Sequence, residues 1–501
     1  MSSLKHYPLG SSVSNSPHSV TTCLPTMDDV IGYEEKEPRV MQAMSAGYPR
    51  FLRHRWIGEL LNFYLDREGL TSPAAVLIPS RRASQELVDR SEGLAQMLAV
   101  EDSLYMVYLT DSFDLDPNQI YRYVQHVGCG ISSRQAEDLL HKYELLESIY
   151  SEDSASGNAE IQVEIELAQL INCRKEDVLL CASGMNAFYA GFKAVQAAQR
   201  RRGRTRWLQL GWLYLDSGII LREHLGSEES LDIEYDVSDM SKLEQKIQSY
   251  GDQLAAVVVE CPSNPLIQIC DLPRLAQAVR SAGAILIVDP SVASILSINV
   301  LPYADVIVSS LTKYSAYEGD VMAGAIVVNR ESPFYGDLIV GVSTTHTPPY
   351  VRDLARLANQ LQQAPRVVDC MYANANRLRQ YLEQHDAVKR VYFANSSQWA
   401  QKNSTTKYPP CALITIELKG SMRAFYDAAR CMKGPSFGTR FTLLSPFMYL
   451  AHYDLVSSPK GSDQLRQIGI DPDLIRISVG EEPYSDIESA MGEALACSIA
   501  S

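Results

Sequence analysis

Residues 284–290 read AILIVDP and residues 304–313 read ADVIVSSLTK, two short apolar runs that each end on a residue able to do chemistry. Neither run alternates polar and apolar positions, so each reads as a strand covered on both faces. The same unit recurs around them: DVLLCAS (177–183), a helical pattern over 184–200, RWLQLGW (206–212), LAAVVVE (254–260), a helical DLPRLAQAVRSAG (271–283) and AGAIVVN (323–329). Apolar strands joined by amphipathic helices predict an α/β fold with a mostly parallel sheet flanked by helices. In such sheets ligands collect beyond the carboxyl ends of the strands, where Asp289 and Lys313 fall.

Outward from this region the pattern changes twice. After Pro365 a helical stretch (367–385) leads into VKRVYF (388–393), CALITIEL (411–418), a helix from Met422 and LIRISVG (474–480), a smaller α/β unit. Before it, residues 1–45 are rich in Ser, Pro and polar groups, an extended arm or a partly disordered one. Between Gly47 and Asp111 a helical IGELLNFYLDREGL, the strand-like AAVLIPS, a second helix and YMVYL predict a small α/β layer. The stretch 132–169 is helical with a break near Ser154 to Asn158, an interface or lid element. The expected domains are 1–127 (arm and small α/β extension), 128–364 (large domain) and 365–501 (small C-terminal domain).

Composition narrows the function. The 501 residues carry a formal charge of −15, which disfavours nucleic acid and anionic membrane surfaces and favours small-molecule chemistry. The ten cysteines show no CxxC pair and no zinc spacing, and Cys181, Cys261 and Cys270 sit in or beside apolar runs, so reduced buried thiols are expected. No apolar stretch reaches the length of a membrane span, and the start lacks the apolar core of a signal peptide. A cytoplasmic protein is the expectation. The basic run 200–206 (RRRGRTR) reads as a solvated helix C-terminus complementing the helix dipole.

A lysine leaving a buried strand needs something to take up its amine, and a Schiff base to a cofactor aldehyde is one answer. Alone, Lys313 reads more commonly as a snorkelling surface residue. Asp289, twenty-four positions earlier, sits one strand-connection-strand unit away, where its carboxylate can pair with a protonated ring nitrogen. Alone, it reads equally as a turn or cap aspartate. Ser183-Gly184-Met185, at a strand-to-helix junction, offers a phosphate cradle or an ordinary serine N-cap. Ser310 and Thr312 can add hydroxyls. Tyr214 can stack on an aromatic ring or pack in the core, and Arg476, a cation within an apolar strand, suits a substrate carboxylate or a structural ion pair.

With these residues together, the chain resembles the Cys/Met-metabolism family of fold-type I pyridoxal-phosphate enzymes. The matching blocks are SGMNA (183–187), LYLDS (213–217), ECPSNPL (260–266), VDPSVAS (288–294), SSLTKY (309–314) and RISVGEEPYSDI (476–487), in the family's order. The resemblance implies pyridoxal 5′-phosphate as cofactor, Lys313 as the Schiff-base lysine and Asp289 as the pyridinium partner. It implies Ser183, Gly184, Met185, Ser310 and Thr312 at or near the phosphate, Tyr214 as a stacking and proton-relaying tyrosine, and Asn264 near the ring hydroxyl. Arg476 with Ser436 (in PSFGT, 435–439) resembles the substrate carboxylate site.

Members of that family are commonly homotetramers whose sites borrow a Tyr-x-Arg from the neighbouring subunit. The nearest match is Ser132-Ser133-Arg134, which makes Arg134 a cofactor-binding candidate. The SAGYPRF block (45–51), GISSRQAE (130–137), the altered LYLDSG and YEGDVMAG (317–324) look more like the long fungal-type cystathionine γ-synthases. The activity this implies is γ-substitution on an O-acyl-L-homoserine through a vinylglycine-type intermediate. Its alternatives are a carbon or nitrogen nucleophile, a γ- or β-lyase, and a non-catalytic relative.

Overall fold

The computed structural model describes residues 4–44, 47, 52–110, 116, 118–227, 230–394 and 398–500; apart from Gly47, the SAGYPRF block lies outside the described residues. Among the described residues three sheets form. The strands are β1 (Ala75–Ile78), β2 (Ala95–Glu101), β3 (Leu104–Leu109), β4 (Val178–Cys181), β5 (Arg206–Leu210), β6 (Leu231–Glu234), β7 (Leu254–Glu260), β8 (Ile285–Asp289), β9 (Val306–Ser310), β10 (Gly324–Val328), β11 (Val388–Tyr392), β12 (Leu413–Leu418), β13 (Met432–Lys433), β14 (Leu443–Pro446) and β15 (Ile475–Ser478).

The central sheet has the order β4-β10-β9-β8-β7-β5-β6. From β9 through β6 the strands run parallel, and only β10 is antiparallel to its neighbours β4 and β9. Its apolar runs are continuous because both faces are buried. Val257, Val259, Leu286 and Val288 enter one core, while Ala256, Val258, Ile285 and Ile287 enter the other. The second core is filled by the Gly184–Arg200 helix, whose Phe188, Phe192 and Val195 are buried against it. This helix begins where β4 ends, so its N-terminus points at the carboxyl edge of the parallel strands.

The C-terminal sheet has the order β11-β12-β15-β14-β13, with only β13 and β14 parallel. The Ala364–Glu383 and Tyr484–Ala500 helices join its core through Leu378, Leu382, Ile487 and Met491. The N-terminal layer is the antiparallel β1-β3-β2 sheet and the Arg55–Arg67 helix. Trp56, Leu60, Tyr64 and Met106 share a core with Ala136 and Leu140 of the Ser133–Lys142 helix, so this layer's packing continues past residue 127.

The polar arm is wrapped. The Leu24 amide donates to the Lys433 carbonyl on β13, the Tyr426 hydroxyl donates to the Leu24 carbonyl, and Met27 and Val30 enter the main core. A capping box between Thr26 and Asp29 starts the Met27–Glu34 helix that makes this possible. All ten cysteines are free, with Cys181, Cys261 and Cys270 buried. The basic run closes the Gly184–Arg200 helix, with Arg201 and Arg202 facing Asp337 and Arg206 facing Asp232. No helix of the described residues is long and apolar enough to cross a membrane.

Candidate active site

Beyond the carboxyl ends of β7, β8 and β9 lies a cavity of about 1050 Å³. Its lining includes Lys313, Asp289, Tyr214, Asn264, Ser436 and Arg476, residues from the middle and C-terminal segments of the chain. Ser183, Gly184, Met185, Ser310 and Thr312 line it as well. Of the sequence candidates, Arg134 is the exception.

Lys313 follows β9 and donates from Nζ to the Ser436 hydroxyl at 2.7 Å, with the ammonium 5.0 Å from the centre of the Phe437 ring. Ser436 also accepts from Arg476 Nη2 through its carbonyl at 2.8 Å, so one residue touches both cations. It does so with φ of 99°, in the left-handed region that a non-glycine residue enters at a cost of about 1–3 kcal/mol. Arg476 Nη1 donates to Asn264 Oδ1 at 3.3 Å, and the guanidinium lies 5.0 Å from the centre of the Phe447 ring. The buried Arg476 thus lies against neutral oxygens of Asn264 and Ser436 and the faces of two phenyl rings, where its fork suits a carboxylate.

Asp289 ends β8 and stands in register with Glu260, the last residue of β7. Burial pushes the Asp289 carboxyl up to about 6, against the hydrogen bond it accepts from the Ser291 amide. Burial, and then Asp289 itself, push Glu260 well above the usual carboxylate range. The pair therefore holds a proton on Glu260 more readily than on Asp289, because the Asp289 charge adds to burial at Glu260 while Ser291 offsets burial at Asp289. Glu260 also accepts the backbone N–H of Tyr214, which fixes the start of the Leu215–His224 helix at the cavity wall. Sequence reasoning passed over Glu260, although LAAVVVE carries the same signal as AILIVDP: a carboxylate closing an apolar strand.

The phosphate cradle is more selective than expected. The Ser183 hydroxyl accepts from the Asn186 amide at 3.0 Å and donates to the Gly128 carbonyl at 2.9 Å, so it serves as the helix N-cap. Thr312 spends its hydroxyl on both backbone groups of Ala323. Ser310 keeps its hydroxyl uncommitted among the described residues. A Cβ added to Gly184 would meet the Ser310 Cβ at 2.7 Å, so glycine is what lets this helix start close against the end of β9. The first-turn amides of Gly184 and Met185, the helix dipole and Ser310 then form an anion recess. Recess, lysine and paired carboxyls fit the three ends of pyridoxal phosphate: phosphate, aldehyde and ring nitrogen.

Arg134 is engaged elsewhere in its own chain. Its guanidinium donates to Glu152 twice at 2.7 Å, to Asp353 at 2.9 Å and to the Asp320 carbonyl at 2.7 Å, with 1 % of the residue exposed. The side chain is consumed by its own chain's carboxylates and is absent from the cavity lining. A lone Ser-Ser-Arg match could not reveal carboxylates 18 to 219 positions away. The role of residues 1–127, open between covering the entrance and extending a subunit contact, gains a structural basis for the former: Tyr33, Arg53, Leu61, Leu77 and Tyr121 line the same cavity as Lys313. His452 lines it too, a residue no motif pointed to.

Comparison with known proteins agrees with this geometry. The sequence profile of the Cys/Met metabolism PLP-dependent enzyme family matches residues 149–496. The chain is 34% identical over 474 residues to the L-2-amino-4-chloropent-4-enoate dechlorinase/desaturase of Streptantibioticus cattleyicolor, covering 94% of each. It is 26% identical to cystathionine γ-synthase of Neurospora crassa, covering 96% of this chain and 97% of that one. Among solved structures, cystathionine γ-synthase from Xanthomonas oryzae pv. oryzae superposes with a TM-score of 0.57 at 22% identity, over 68% of this chain and 86% of that one, a likeness of fold. Profile, full-length relatives and the lysine–carboxylate cavity agree: the chain belongs to the Cys/Met-metabolism family of pyridoxal-phosphate-dependent enzymes.

Proposed function

We propose that this enzyme acts at the γ-carbon of an L-α-amino acid bearing a leaving group there, with γ-substitution on an O-acyl-L-homoserine as the first reading. The observation that carries it is Ser436, whose hydroxyl meets Lys313 and whose carbonyl meets Arg476. A substrate with its carboxylate on Arg476 then has its α-carbon beside the Lys313 amine. Bound pyridoxal phosphate supplies an electron sink for negative charge at that α-carbon.

The chain's residues do the rest. Arg476 binds the α-carboxylate with two N–H donors. Asp289 holds the ring nitrogen protonated, which keeps the sink effective. Lys313, once its amine is released, takes the α-proton and shuttles a β-proton on the same face. The C–O bond at Cγ breaks with the electrons leaving on the acyl carboxylate. Addition of a cysteine thiol at Cγ forms the C–S bond and releases its proton to solvent. Tyr214 stands at the cavity wall as the stacking group, and Tyr33, Arg53 and Tyr121 from residues 1–127 complete that wall.

The second reading is elimination, in which the γ-substituent leaves and no nucleophile adds. It is favoured by the 34% identity to a protein named as a dechlorinase/desaturase. Product analysis separates the two: O-acetylhomoserine with cysteine is expected to give a thioether, whereas 2-oxobutyrate and ammonia, or chloride from L-2-amino-4-chloropent-4-enoate, mark elimination. Lys313→Ala is expected to abolish turnover and the borohydride-sensitive visible absorption. Wild-type activity in that variant would refute the assignment. Family resemblance further supports a homo-oligomer, which sedimentation measures directly.

A further inference from the structure

His452 is a titratable side chain in the cavity wall that the reaction as described does not use. It sits at the break between the Phe447–Ala451 and Tyr453–Val456 helices, where its backbone φ and ψ of −144° and 51° stop the first and admit the second. Its ring packs at a T-shaped 5.2 Å from Trp212 and 6.4 Å from Phe447, so its plane is fixed from two sides. Neither ring nitrogen has a hydrogen-bond partner among the described residues, and neither is among the enclosed polar atoms that lack one. The ring nitrogens are therefore open to a ligand on a residue that lines the cavity.

The position matters because Phe447 is shared: the Arg476 guanidinium lies 5.0 Å over the ring on which His452 also packs. A substrate anchored by its carboxylate on Arg476 extends, at about 1.5 Å per bond, about 5 Å to the heteroatom on its γ-carbon. That reach is comparable to the 6.4 Å between the Phe447 and His452 rings, so a γ-substituent that runs along Phe447 from Arg476 meets His452.

We propose that His452 donates a hydrogen bond from its imidazole N–H to the γ-substituent as it departs, a role for a substrate whose leaving group is an oxygen ester or a halide. The inference rests on the γ-carbon reading above. Burial, helped by Arg222 and opposed by Asp454, lowers the His452 pKa, so the ring is neutral at neutral pH and offers one donor and one acceptor. A neutral donor suits this step because carboxylate and chloride leave as anions and need stabilisation, not a proton.

The test compares two rates in each protein. Turnover of O-acetylhomoserine requires the leaving group, whereas exchange of the Cα deuteron of L-norvaline uses Lys313 and Arg476 with nothing to expel. His452→Phe should lower the ratio of turnover to exchange about 100-fold, the usual cost of removing one such donor, while keeping the visible absorption of bound pyridoxal phosphate. His452→Gln, which keeps an N–H, should recover part of the ratio. A ratio within about threefold of wild type in His452→Phe, or a parallel loss of both rates, overturns the inference alone. A wild-type enzyme that neither exchanges nor turns over overturns the γ-carbon reading, and this inference with it.

Discussion

At the scale of single residues, the site depends on a half-buried carboxyl whose surroundings disfavour its charge. In the cofactor-free protein Asp289 titrates near 6 instead of 3.8 because it is buried. An acid whose pKa is higher folded than unfolded binds more protons when folded, so its ionisation weakens the fold as pH rises from about 4 to about 6, and the cost persists above that window. Asp289→Asn removes the charge. The melting temperature of the cofactor-free variant is therefore expected to gain on wild type as pH climbs through that window, with the gap constant above pH 7, while affinity for pyridoxal phosphate falls. Glu260→Gln removes an acid that stays protonated in the fold but ionises in the unfolded chain above about 4.5, so it too should gain on wild type as pH rises past that point; melting curves across pH check both. Asp289 and Lys313 were legible because a chargeable residue closing a continuously apolar strand has few structural uses. Glu260 carries the same signal, but its meaning came only from lying opposite Asp289 across two strands.

At the scale of elements, the Gly184–Arg200 helix does two jobs through one end. Its apolar face, with Phe192 5.0 Å from Trp207, fills the core beneath the sheet, and its capped N-terminus borders the cavity as a candidate anion recess. The two are coupled through Gly184, whose missing side chain sets how closely helix and β9 approach. Gly184→Ala should cost about 1–3 kcal/mol from overpacking and should also weaken pyridoxal phosphate binding, measured by thermal unfolding with and without cofactor. A variant that lost stability yet bound cofactor as well as wild type would separate packing from the recess. The helix was readable from its 3.6-residue periodicity and the serine before it. Whether Ser183 faced an anion or capped the helix was not, because the same hydroxyl suits both until the Gly128 carbonyl is known to sit beside it.

At the scale of the whole molecule, the ionic cluster around Arg134 joins segments far apart in sequence: Glu152, Asp320, Asp353 and Arg356, which pairs with Asp320 at 2.9 Å. Removing the central cation leaves buried carboxylates uncompensated, so Arg134→Ala should cost about 3–5 kcal/mol of stability by denaturant titration. Below its melting temperature, that variant is expected to retain the cofactor's visible absorption. Loss of cofactor in a fully folded variant would return Arg134 to the phosphate site. By itself the sequence determined the layered α/β architecture, most strand and helix positions, and the lysine, aspartate and arginine of the candidate site, because hydrophobic periodicity and the burial cost of a charge are local properties readable along the chain. Only the tertiary structure decided that the N-terminal arm wraps the small domain, that Arg134 belongs to a structural cluster, and that Glu260 and His452 stand in the cavity. Each of these depends on which distant groups satisfy a charge or a hydrogen bond, and that partnership exists only once the chain has folded.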